Sequence, residues 1–260
     1  MSKADLRLDW CSYQAAKWAV EHWHYSHSMP TPPVIRVGVW ESGRFIGCVL
    51  FSRGANNNLG NPYGLKVTEV CELTRVALDM HDTPVSRIVT IAVKMLKRKE
   101  TGLRLIVSFA DANEGHHGGI YQAGGWLYSG RSNSTPKYRT PSGDILHQRQ
   151  VSKVGYKPQY GTMRRVPKSG DCEVIPQLDK YRYLYPLDPA MRAQIEPLRK
   201  PYPKRIPRGS GEIDNAADTN LQTGGASPTD PLLETSDGER MAAAFPGIEI
   251  ERISEAVLTP

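Results

Sequence analysis

Residues 71–126 decide the reading of this chain: CELTRVAL (71–78), a short turn, VSRIVTIAVKMLKRK (85–99), LRLIVSFAD (103–111) and GHHGGIYQAGGW (115–126). The second stretch puts Ile88, Ile91, Ala92, Met95 and Leu96 on one stripe and Arg87, Lys94, Lys97 and Arg98 on the other, the pattern of an amphipathic helix. Thr83 stands where a cap is wanted and Pro84 in the first turn. The flanking stretches are apolar and rich in β-branched residues, so they read as buried strands from Val67 to Leu78 and from Leu103 to Ala110. A strand feeds a helix and the helix feeds a strand that ends on Asp111, with His116 and Tyr121 close behind. Ligands of α/β folds collect at strand ends and helix starts, so this segment is expected to hold a donor pocket and the reacting groups.

Outward from it, Leu6–Trp10 alternates as a strand, and Ser12 can cap a helix to about His24 with Ala15, Trp18, Ala19, His22 and Trp23 on its core face. Val34–Trp40 and Phe45–Phe51 flank ESGR as a hairpin. A short helix is expected over His116–Ala123, strands over Trp126–Ser132 and Ile145–Val151, and one strand and one helix between Gln177 and Leu198. The fold class is therefore α/β, a mixed central sheet with flanking helices.

The net charge of +6 hides an asymmetry. Residues 209–260 hold ten acids against Arg240 and Arg252, a net of −8, which leaves +14 on residues 1–208. Between Arg131 and Lys168 stand nine basic residues and one acid, Asp144, with Tyr138, Tyr156 and Tyr160 spaced among them. That pattern suits phosphates and stackable bases, and double-stranded DNA is the expected partner, met by Lys137, Arg139, Lys153, Arg164 and Arg165. The Gly-, Ser- and Asp-rich composition from Gly209 onward predicts a disordered acidic tail. Three parts result: a catalytic domain over 1–152, a basic extension packing on it over 153–208, and the tail over 209–260. No run of 18 apolar residues occurs, the N-terminus lacks a signal-peptide pattern, and four scattered cysteines suit reduced thiols, so a cytoplasmic protein is expected. Nothing in the sequence speaks to oligomeric state.

The order β-α-β-β-β-α-β-α-β-β resembles that of the GNAT acetyltransferases, and IYQAGGW (120–126) resembles the end of their fourth helix, where a tyrosine often protonates the departing thiolate. That likeness implies an acyl donor such as acetyl coenzyme A, and Tyr121 as the acid. The family's Gly-rich donor turn is replaced here by MHDTPVSR (80–87), which leaves Ser86, Arg87 and the helix N-terminus to hold the donor's anion. The set HWHYSHSMP, CELTRVALDMHDTPVSR, LIVSFAD, GHHGGIYQAGGW and KYRYLYPLD together resembles the phage Mom family of DNA-modification proteins over residues 5 to about 205. This resemblance implies a GNAT-like transferase that adds a carbamoylmethyl group to N6 of adenine in DNA, protecting it from restriction in the host cytoplasm. An acetyltransferase acting on a small amine or protein, and a DNA-binding accessory without chemistry, are the alternatives.

The residues support such chemistry on their own terms. Adenine N6 is a poor nucleophile, stacked and paired in the duplex, so an enzyme must extrude the base and supply a proton acceptor. Asp111, Tyr121, Ser108, His116 and Tyr25 are the candidate catalytic residues; Asp111 reads equally as a helix cap and Tyr121 as a packed aromatic. Arg75 alternates with Cys71, Leu73 and Ala77 on one face, where it either clamps a donor's anion or pairs with Glu72 or Glu69. Histidines crowd both ends of the segment: His24, Tyr25 and Asp111 form a ligand set for iron, or else the histidines meet phosphate and backbone.

Overall fold

The computed structural model describes residues 5–54, 57–159 and 161–204. Strand β1 (Leu6–Trp10) leads into helix α1 (Tyr13–Trp23), then strands β2 (Val34–Glu41), β3 (Arg44–Ser52) and β4 (Val70–Leu78), and helix α2 (Val85–Lys99). Strand β5 (Leu105–Ala110), helix α3 (Gly119–Ala123) and strand β6 (Leu127–Ser132) follow. Short strands β7 (Lys137–Arg139), β8 (Ile145–His147), β9 (Tyr156–Gln159), β10 (Thr162–Arg165) and β11 (Glu173–Ile175) precede strand β12 (Lys180–Pro186) and helix α4 (Pro189–Ile195). The acidic tail expected from residue 209 lies outside the described residues.

Seven strands make one mixed sheet in the order β1-β2-β3-β4-β5-β12-β6. Only β4 and β5 are parallel, as the intervening α2 crossover requires. Helix α2 buries Ile88, Val89, Ala92, Val93 and Leu96 against one face, at roughly 2 kcal/mol for each large aliphatic side chain. Helices α1 and α4 cover the other face, α1 over Cys48, Leu50 and Ala77, and α4 over Leu105, Val107 and Leu184. The Ser12 hydroxyl accepts from the Ala15 amide, so α1 starts where its cap predicts. Thr83 does not cap α2. The carboxylate of Glu41 arrives from β2 instead and accepts from the Asp82 and Thr83 amides at 2.8 and 2.9 Å.

Three further expectations change. Residues 145–151 do not join the central sheet: β8 pairs with β7 in a separate three-stranded sheet, and a 3₁₀ turn occupies 148–150. The central position goes to β12, which sits between β5 and β6 and is antiparallel to both. A boundary at 152 therefore cuts through the core, and the segment that stands apart is 133–179, inserted between β6 and β12. His22 is exposed rather than in the core; its ring stacks on Trp18 at 4.1 Å and its Nδ1 meets the Trp18 carbonyl at 2.8 Å.

Candidate active site at the parting of two strands

The ladder between β4 and β5 ends at the pair Leu73–Ser108. Beyond it each strand continues without the other, and polar groups take the place of the ladder. On the α2 side, the Ser108 hydroxyl lies 2.9 Å from the freed Leu73 carbonyl and 2.8 Å from the Tyr121 hydroxyl, fully buried. One hydroxyl proton cannot serve both. A carbonyl only accepts, so Ser108 donates to Leu73 and the Tyr121 phenol donates to Ser108. Helix α3 is short, and Gly118 at φ +87° starts it by lying flat on the Tyr183 ring, whose hydroxyl donates to the His117 carbonyl at 2.6 Å. This contact and the rings of Trp126 and Tyr183, each 5.1 Å away, fix Tyr121.

On the opposite side a second cluster forms. A register shift in the β3–β4 ladder, opposite Thr74, reverses the alternation of β4. Arg75 therefore shares the α1 face with Ala77, not the face of Cys71 and Leu73, and donates to the carbonyls of Ser28 and Thr74 at 3.2 and 2.7 Å. Neither bond is to a carboxylate, so the expected ion pair with Glu72 or Glu69 is replaced by backbone contacts. Arg75 binds the loop after α1, which delivers His24 and Tyr25. The Tyr25 ring stacks on His24 at 4.3 Å and meets His116 edge-on at 5.4 Å. His24 is buried and its Nδ1 accepts from the Ser26 amide, which leaves the proton on Nε2. Burial, with Arg75 and His116 nearby, pushes its pKa down to about 3, so it stays neutral. Burial and the Asp111 carboxylate push Tyr25 up to about 12.

Asp111 uses both oxygens. Oδ1 accepts from the Asn113 amide and Nδ2 at 3.0 and 2.8 Å, and Oδ2 pairs with Lys180 Nζ at 2.6 Å. Burial raises its pKa, and the Lys180 and Asn113 bonds more than reverse that, so it is held ionised below the ordinary range. It is a cap and an anchor for Lys180 together. Sequence reasoning missed Lys180, and it met Glu72 only as a partner for Arg75. Glu72 lies one residue before the parting point on the α1–α4 face. Burial pushes it up to about 7, with Arg75 and Lys180 opposing. An acid in an otherwise apolar strand was the available signal.

The iron expectation does not fit these residues. His24 Nδ1 and both Asp111 oxygens are already committed, and among the described residues no group of three or more histidines, cysteines or acids is placed to hold a metal. No step is routed through iron. The donor expectation fits in part. Ser86 and Arg87 line a cleft of about 380 Å³ with Thr90, Ile91, Lys94 and Ala123, cationic and open beside α3. The amides just ahead of α2, however, are filled by Glu41, where a pyrophosphate would need them. Arg75 lies with the other cluster, on the opposite face of the sheet from this cleft. The candidate DNA residues Lys137, Arg139, Lys153, Arg164 and Arg165 are all exposed and lie on the 133–179 insertion; Arg139 pairs with Glu173 at 2.6 Å. No helix among the described residues is long and apolar enough to cross a membrane.

Comparison with known proteins places this geometry. The chain is 25% identical over 207 residues to the methylcarbamoylase Mom of Escherichia phage Mu, covering 77% of this chain and 84% of that protein. A solved "Putative Acetyltransferase" from Acinetobacter baylyi ADP1 superposes with a TM-score of 0.41 at 13% identity, over 72% of this chain and 95% of its own. The Mom protein family model matches residues 5–204 without a break, spanning both clusters, the insertion and β12, and the chain belongs to that family.

Proposed function

We propose that this chain is a DNA-modifying transferase that places a carbamoylmethyl group on N6 of adenine. The observation that carries the reading is the parting of β4 and β5, with a basic insertion rooted beside it, in a member of the Mom family. The extruded adenine enters on the α1 side, where Tyr25 and His116 offer aromatic faces and Arg75 and Lys180 hold cationic edges. A small anionic donor sits on the α2 side against Ser86, Arg87 and Lys94. Glu72 is the proton acceptor: a carboxyl near neutrality is a better base than Asp111, which is held ionised by Lys180. As N6 bonds to the donor's saturated carbon, the leaving group departs with the bonding pair and the N6 proton passes to Glu72. Tyr121, held by Ser108 at the back of the parting, supplies a proton to the leaving group once its phenol turns from Ser108 Oγ. Asp111 positions Lys180. The occupied amides ahead of α2 weigh against an acetyltransferase that cradles coenzyme A in the usual way.

The test is chemical. Bacteria expressing the chain are harvested, their DNA is digested to nucleosides, and deoxyadenosine is weighed. The expected product is a deoxyadenosine heavier by one carbamoylmethyl group in place of hydrogen. Unmodified deoxyadenosine, together with acetyl coenzyme A turnover on a small amine, overturns the reading.

A further inference from the structure

The insertion 133–179 leaves the core at Ser132 and returns at Lys180, residues paired across β6 and β12. Lys180 holds Asp111, and Asn113 exchanges hydrogen bonds with the Leu178 backbone, so the insertion is rooted at the rim of the candidate site. Its far part is a two-stranded antiparallel ribbon, β9 with β10. Every β10 side chain is exposed, with Met163 at 65%, and on β9 Tyr156 is at 50%. Residues 145–170 contain six lysines and arginines and no acid.

The ribbon's register carries a further clue. Arg164 stands directly across from Lys157, and Arg165 across from Tyr156. Like charges facing each other on a ladder destabilise it, and an isolated two-stranded ribbon is marginal in water. Both costs fall if a polyanion lies between the strands' charged groups. The two faces also differ: one carries Lys157, Gln159, Thr162 and Arg164, and the other Tyr156, Pro158, Met163 and Arg165. One face is suited to phosphates and the other to base edges.

We infer that the β9–β10 ribbon enters the major groove of duplex DNA beside the target adenine, Arg164 and Lys157 on phosphate and Arg165, Tyr156 and Met163 toward the bases. A two-stranded ribbon fits that groove, about 12 Å wide, and not the minor groove, about 6 Å wide. The inference rests on the DNA reading above and assigns to the ribbon the hold on the duplex next to the flipped base.

The full-length chain and its Arg164→Ser/Arg165→Ser variant are titrated into a fluorescent duplex at several salt concentrations. These side chains are exposed, so the variant keeps the wild-type unfolding temperature. The ribbon reading expects affinity to fall on the order of tenfold or more, and the slope of log K against log salt to fall by about 1.8, near 0.9 for each lost phosphate contact. Duplexes whose cytosines carry bulky groups in the major groove bind weakly, and a minor-groove ligand does not compete. Wild-type affinity and slope in the variant, with tight binding by the parent chain, overturn the ribbon and leave the DNA reading standing. Competition by the minor-groove ligand also overturns it. A parent chain that binds no duplex at any salt overturns both.

Discussion

Glu72→Gln is expected to make the protein more stable at pH 8 and to stop its chemistry. Glu72 is largely buried at the parting of β4 and β5 and has a pKa near 7, against an ordinary value of 4.5. A folded-state value above the unfolded one means the native protein holds the proton more tightly. Its contribution to stability is whole below about 4.5 and is lost as pH rises through about 7. The gap corresponds to roughly 3 kcal/mol at 1.36 kcal/mol per pKa unit. Gln is neutral at every pH and nearly isosteric, so it removes that cost, and partial solvation brings the expected gain to about 1–3 kcal/mol. For a domain of this length that is about 3–10 °C in melting temperature. Thermal unfolding of the parent and variant chains from pH 4 to 8.5 reads it: curves that converge near pH 4.5 and diverge above pH 6. A variant less stable than its parent at pH 8 would refute the reasoning, because Glu72 would then be held as a stabilising anion by Arg75 and Lys180.

Other substitutions probe the remaining parts. Glu41→Ala strands two buried amides and should cost about 2–4 kcal/mol in urea unfolding at pH 7. Burial raises the Glu41 pKa and the Thr83 and Asp82 bonds bring it below the ordinary range, so this contribution is present above about pH 4.5 and fades as pH falls below it. Tyr121→Phe removes the phenol from Ser108 and should cost only about 1 kcal/mol of stability, while DNA modification falls on the order of 100-fold; full activity in this variant excludes the phenol as an acid. Gly118→Ala drives a methyl into the Tyr183 ring at a positive φ, so it should cost about 2–4 kcal/mol and shift α3 with Tyr121, read as lost near-ultraviolet dichroism.

Much of this architecture is local and was legible. The Ser12 cap, the 34–52 hairpin, the stripe of α2 and the β5 run to Asp111 follow from periodicity and cap chemistry within a few residues. What escaped is non-local. KYRYLYP reads as a strand, but nothing within it says that it slides between β5 and β6, because that position depends on ladders with residues about 50 and 75 positions away. The shift opposite Thr74 moved Arg75 to the other face, and strict alternation cannot see a register shift. Glu41 displaced Thr83 at the start of α2 from 42 positions away. The convergence of His24, Tyr25, His116 and Asp111 was readable as a hypothesis from strand ends. Glu72 and Lys180 were not, since their significance comes from the partners that the sheet brings to them.

The most direct measurement is the ratio of modified to unmodified deoxyadenosine in DNA from cells carrying the parent chain, Glu72→Gln, Lys180→Ala or, as a distant control, Arg7→Ala. The account predicts abundant modification with the parent and with Arg7→Ala, and its loss with Glu72→Gln and Lys180→Ala in folded protein. Full modification by both site variants would contradict it.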